Sequence, residues 1–210
     1  MISKQTQEKG ILAKFLEQCM RILIIKECRK INKIKINIIS SSTQIIRGKI
    51  QKLNIMAEDV NYKNLVFDEV ELEANELKIN FKFINKELYF KNNPIIKFKI
   101  SISQKSLRTF LLSNNWNWIG NMISKEILNQ EKLEDIKINN DELMIKSSKK
   151  NNSINEFEKI DIKAEKGKVY LENEKYNKTL KIPFEDKIYV ENVSIENNII
   201  NFFGTSSISF

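Results

Sequence analysis

The spacing of apolar residues changes near residue 33 and again near residue 106, and these changes divide the chain. In the first segment the spacing is helical. Ile11, Phe15, Cys19 and Ile22 follow steps of 4, 4 and 3, and Leu12, Leu16, Met20, Leu23 and Ile24 widen the stripe. At 100° per residue these nine positions cover roughly 220° of arc, with Lys14, Glu17 and Arg21 on the remainder. So wide an apolar face is expected to be mostly enclosed, by its own domain or by a bilayer surface.

From about residue 33 the period is two, the signature of half-buried antiparallel strands. Ile34, Ile36 and Ile38 alternate with Lys and Asn; Leu53, Ile55 and Ala57 follow after an interruption at Ser40–Thr43. The alternation slips at Asp68-Glu69, which predicts a bulge or a bend. Asn92-Asn93-Pro94 predicts a turn. Ser106 to about Leu128 reads as two helices divided at Asn114-Asn115, the second weakened by Gly120. Asn139-Asn140-Asp141, Lys166-Gly167 and Asn197-Asn198 each predict a hairpin. The polar stretch SSKKNNSI is expected to be a flexible loop.

Roughly ten strands without a βαβ rhythm exclude a parallel doubly wound fold. The expected class is α+β: a long curved antiparallel sheet wrapped around an N-terminal helix, with a short helical pair at mid-chain. Residues 1–30 supply the helix, and residues 31–210 are the single domain to which it belongs.

Composition removes much chemistry. The 210 residues contain no histidine, which excludes Ser-His-Asp hydrolysis, Cys-His nucleophiles and histidine-bearing zinc sites. Two cysteines cannot form a cysteine-only zinc or iron–sulfur site. Cys19 and Cys28 would sit on opposite faces of one helix, so they are read as reduced thiols. The five glycines form no phosphate-cradling motif and no nucleophile elbow. Asp68-Glu69, Glu134-Asp135 and Asp141-Glu142 sit at strands or turns and are read as solvated structural pairs. No cofactor, no metal and no catalytic residue is expected. Ile, Asn and Lys make up 92 of the residues, a bias that suits a genome rich in A and T codons. The scarcity of Arg, 4 against 31 Lys, therefore carries little chemical information.

Charge is uneven. Residues 1–56 carry 12 Lys and Arg against 3 Asp and Glu, a net of +9, whereas residues 57–210 carry 23 against 24, a net of −1. A basic N-terminal end favours anionic partners such as phospholipid headgroups or nucleic acid. No stretch reaches the ~18 apolar residues of a membrane span, and no cleavable signal is seen. The expected location is cytoplasmic, peripheral on the inner face of a membrane.

Residues 48–79 read GKIQKLNIMAEDVNYKNLVFDEVELEANELKI. Their pattern G-x-I-x-x-L-x-I-x-A-x-x-V-x-Y-x-x-L-x-F-x-x-V-x-L-x-A resembles the LmeA-type phospholipid-binding domain family of bacterial envelope proteins. SLRTFLLSNNWNWIGNMISKEIL is similar to that family's mid-domain helical segment. The resemblance covers residues 31–210, and this chain departs from it in showing no lipobox cysteine. It implies non-catalytic binding or transfer of phospholipid, or another amphiphile, in an apolar groove at a membrane surface.

Candidate groove residues are Phe15, Leu16, Leu23, Phe81, Phe98, Phe110, Trp116 and Trp118. Candidate headgroup contacts are Lys26, Arg29, Lys30, Lys33 and Lys35, which follow the N-terminal helix. Trp116 and Trp118 suit a membrane–water boundary, with one ring expected inside and one outside. The competing readings are an adaptor that docks a protein partner and, after it, a nucleic-acid binder. The strands carry no stacking motif for nucleic acid, which is not an expected partner.

Overall fold

The computed structural model describes residues 10–82, 87–149, 152–153 and 156–207; the side chains of 81, 82, 87, 88, 149, 152 and 153 lie outside the description. The described part opens with helix α1 (Ile11–Glu27), strand β1 (Ile34–Ile39), a short helix α2 (Ser42–Ile46) and a long hairpin of β2 (Lys49–Tyr62) and β3 (Leu65–Lys82). Strands β4 (Glu87–Phe90) and β5 (Ile95–Ser103) lead into helices α3 (Gln104–Leu111) and α4 (Asn117–Leu128). Then come β6 (Lys132–Asn139), β7 (Glu142–Lys149), β8 (Asn152–Ser153), β9 (Glu158–Glu165), β10 (Lys168–Asn173), β11 (Lys178–Lys181), β12 (Ile188–Glu196) and β13 (Ile199–Ser207).

The expected α+β architecture holds, with its strands in two sheets. Seven strands run in the order β1-β2-β3-β5-β13-β12, with β4 beside the far end of β3. The second sheet runs β11-β10-β9-β7-β6, with β8 beside β7. Every pairing between these strands is antiparallel. Two cores result. Ala13, Leu16 and Met20 of α1 lie on Ile34, Ile38, Ile50, Leu53, Leu77 and Ile79 of the first sheet. Leu107, Leu111, Ile123 and Ile127 of α3 and α4 fill the space between Ile102 and Ile200 of the first sheet and Ile136, Ile145 and Ile160 of the second. Half-buried Phe67 touches both cores.

The slip at Asp68-Glu69 is a bend rather than a bulge. A bulge inserts a residue into one strand and shifts the register. Here Ala57 faces Val70 before the slip and Val60 faces Phe67 after it, so the register is unchanged. Opposite Asp68 stands Asp59 in left-handed backbone, φ 50°. A second interruption occurs at Glu76, φ 53°, between the pairs Leu53–Ala74 and Ile50–Leu77. Both strands change phase together at each point, so the apolar residues stay on the face under α1.

Gly120 does more than weaken a helix. A Cβ there would stand 2.7 Å from Leu133 Cδ2 and 3.0 Å from the Leu111 carbonyl oxygen. The missing side chain lets α4 approach β6 and the end of α3 closely. The SSKKNNSI stretch is not wholly a loop either: β7 extends to Lys149, with Ser147 buried, and residues 150, 151 and 154 lie outside the described residues.

Candidate ligand site beside the N-terminal helix

Helix α2 builds this site. Ser41 caps it: the Ser41 hydroxyl accepts from the Gln44 backbone N–H at 3.2 Å, and Gln44 Oε1 accepts from the Ser41 N–H at 2.8 Å. This reciprocal box satisfies two orphan donors and turns the chain back beside α1. Gly48 ends the turn at φ 70°, where its carbonyl accepts from the Ile79 N–H at 2.7 Å.

Between these elements is a cavity of about 270 Å³. Leu12, Phe15 and Leu16 come from α1, Ile45 and Ile46 from α2, and Ile79 from β3. The polar lining is Arg47, Asn80 and Lys91, with no carboxylate among the lining residues. Arg47 and Lys91 are exposed and make no ion pair among the described residues. An apolar pocket rimmed by two cations fits an aliphatic chain that ends in an anionic group.

Only two of the eight predicted groove residues meet here. Leu16 is buried and Phe15 is half exposed. Leu23 is half-buried two turns further along α1. Phe98 is half-buried in the middle of β5, over Gly204. Phe110 packs against the core between the sheets. Phe81 is in β3, but its side chain lies outside the described residues. Trp116 is half-buried and donates from Nε1 to the Lys63 carbonyl at 3.1 Å; Trp118 is exposed, its ring 6.5 Å from that of Trp116. Neither ring enters a core, so the expectation of one inside and one outside holds only in degree.

The five predicted basic residues gather at the opposite end of α1. The helix has 17 residues, about 25 Å of length. Arg29 donates to Asn64 Oδ1, and Lys30 pairs with Asn61 through the backbone. Lys33 forms a 2.8 Å ion pair with Glu58, whose hydrogen bond raises the Lys33 pKa above the ordinary lysine value. Lys26 and Lys35 are exposed. Proximity in sequence to the helix therefore does not bring these cations to the cavity. Arg47 and Lys91 take that place. The signal that could have revealed Arg47 was the S-x-x-Q spacing of Ser41 and Gln44, which marks a helix start inside the Ser40–Thr43 interruption. Lys91 comes from a distant turn, and no local signal points to it.

A larger concavity of about 450 Å³ lies at the bend of the long hairpin, among Glu58, Asp59, Asp68, Glu69, Lys99 and Glu196. Four of its carboxylates have structural tasks. Asp68 accepts from the Ser103 N–H at 2.6 Å and from the Ser103 hydroxyl at 2.9 Å, Glu69 and Glu58 face Lys99 and Lys33, and Asp59 accepts from Asn32. Elsewhere Asp135 pairs with Arg108 at 2.9 Å, Glu134 with Lys146 at 3.5 Å and Glu142 with Lys159 at 3.0 Å. Asp141 accepts from the Asn198 N–H at 2.8 Å, joining two hairpin turns. Among the described residues no group of three or more acidic or thiol side chains could hold a metal ion.

No family model, curated protein or solved structure matches this chain. Among the described residues no helix is long and apolar enough to cross a membrane.

Proposed function

We propose that this chain binds an amphiphile with an aliphatic chain and an anionic head, phospholipid being the class favoured by the resemblance of residues 48–79. The observation that carries the reading is the lining of the cavity: six apolar residues, two exposed cations and no carboxylate. Its volume of about 270 Å³ is at the small end of ligand pockets, so it suits one chain rather than a whole two-chain lipid. Each methylene taken from water into the cavity contributes roughly 0.8 kcal/mol. Arg47 and Lys91 would hold the head by charge-assisted hydrogen bonds.

Native mass spectrometry of the purified chain, followed by organic extraction, tests this reading. The expected result is a discrete mass above 24.7 kDa that extracts as an acyl lipid. Reversing both rim charges, Arg47→Glu with Lys91→Glu, should lower occupancy at least tenfold; both residues are exposed, so the core is untouched. A bare mass after incubation with lysophosphatidylglycerol would overturn the proposal. A pulldown dominated by one protein would then favour the adaptor reading.

A further inference from the structure

Of the two enclosures expected for the wide apolar face of α1, its own domain supplies only part. Its buried stripe runs through Ala13, Leu16, Cys19 and Met20. On the other side Ile11 is 85% exposed, Phe15 45%, Ile22 57% and Ile25 43%. At 100° per residue these four lie within about 80° of one another. Gln18 is the only polar residue among them.

The flanks of this stripe are cationic. Lys14 and Arg21 border it on one side and Lys26 on the other, all exposed and without an ion pair among the described residues. The two acids of the helix point elsewhere. Glu17 accepts from the Ile38 N–H at 2.6 Å, against the sheet, and Glu27 falls on the side opposite the stripe. An apolar strip edged by Lys and Arg is the arrangement by which a helix lies in the interface of an anionic bilayer. A protein surface of this kind seldom stays bare.

We propose that the outward face of α1 is a docking surface for an anionic lipid bilayer. The proposal deepens the amphiphile reading and rests on it at one point: Phe15 belongs both to the stripe and to the cavity wall, so the cavity adjoins the docked face. The aliphatic side chains would enter the acyl boundary while the flanking cations meet lipid phosphates.

The test is flotation of the full chain with vesicles of phosphatidylcholine alone or with a 30% share of phosphatidylglycerol, at ~50 and ~500 mM salt. The wild type should bind only the anionic vesicles and be released by salt. Lys14→Gln, Arg21→Gln and Lys26→Gln together should weaken binding on the order of 100-fold. Ile22→Ser with Ile25→Ser, both remote from the cavity and already exposed, should weaken it at least tenfold. Neither set should change the lipid mass carried in native mass spectrometry. Unchanged vesicle binding in both sets would overturn the docking surface. Bound lipid without vesicle binding would overturn docking and leave the cavity reading intact; vesicle binding without bound lipid would do the reverse. A stripe-dependent dimer that ignores vesicles would assign the face to a second copy of the chain and overturn the proposal.

Discussion

Ser124 on α4 and Ser147 on β7 share one hydrogen bond, 2.5 Å long, inside a core otherwise built from Ile and Leu. Both side chains are buried, Ser124 completely. Removing one hydroxyl strands the other without water, which costs roughly 1–3 kcal/mol. The two sites are not equivalent. A serine in a helix can turn its hydroxyl to the carbonyl one turn earlier, here that of Gly120, whereas a strand serine has no such acceptor. Ser147→Ala should therefore cost about 1 kcal/mol and Ser124→Ala about 2–3 kcal/mol in urea unfolding. The double variant should cost less than the sum of the two. Additive losses would mean that the hydroxyls are satisfied independently. At the same scale the many asparagines have a structural use. Asn64, Asn129, Asn140, Asn177, Asn197 and Asn198 hold left-handed backbone at hairpin turns and at the end of α4. This conformation is one that Asn tolerates better than most residues. The chain is rich in Asn, and the turns use it.

Helices cover one edge of each sheet through single side chains. Glu17 of α1 accepts from Ile38 on β1, Gln104 of α3 accepts from Ile138 on β6 at 2.8 Å, and Asn121 of α4 accepts from Leu133 on the same strand at 3.2 Å. Both β1 and β6 end their sheets, where unpaired N–H groups would otherwise invite another strand. Glu17→Ala should cost about 1–3 kcal/mol and speed hydrogen exchange at the Ile38 amide. Glu17→Gln keeps an acceptor and should recover most of the loss. An Ile38 amide equally protected in Glu17→Ala would show that the bond is not what holds α1 to the edge.

These elements also show how far the sequence could be read. Period-two alternation located the strands and the paired Asn or Lys-Gly turns, because each side chain there answers to its own face of one sheet. Periodicity at 100° located α1 but could not say which part of its apolar arc faces the sheet. Glu17, grouped in sequence with the solvent-facing charges, turned out to face β1. The cavity was least legible. It needs Ile45 from a five-residue helix, Arg47 from that helix's C-cap and Lys91 from a turn more than forty residues away. Hydrophobic spacing does not encode such long-range meetings.

Across the whole molecule, charges are paired along the sheets rather than buried. Lys52 meets Glu73 at 2.6 Å, Lys99 meets Glu71 at 2.8 Å and Lys163 meets Glu172 at 2.7 Å. Hydrogen bonds from Lys52 and Asn75 hold the Glu73 carboxyl below the ordinary value of 4.5. A lowered carboxyl contributes stability that is present above 4.5 and lost as pH falls through its folded value. Hydrogen bonds to carboxylates raise Lys99, Lys159, Lys163 and Lys175 above 10.5. A raised lysine contributes stability that is complete below 10.5 and lost as pH climbs through its folded value. Burial and then the charge of Glu27 raise the Cys28 thiol above 9.0, so its contribution also begins to fade only from 9.0 upward. With no histidine in the chain, none of these groups titrates in between. The urea midpoint should therefore be flat from pH 6 to 8.5 and decline at both extremes, each exposed pair adding little. A slope between pH 6 and 8 would point to the α-amino group or to a carboxyl or thiol shifted into that range by burial. For the paired carboxyls, which lie open along the sheets, such a shift would mean that they close against something in solution.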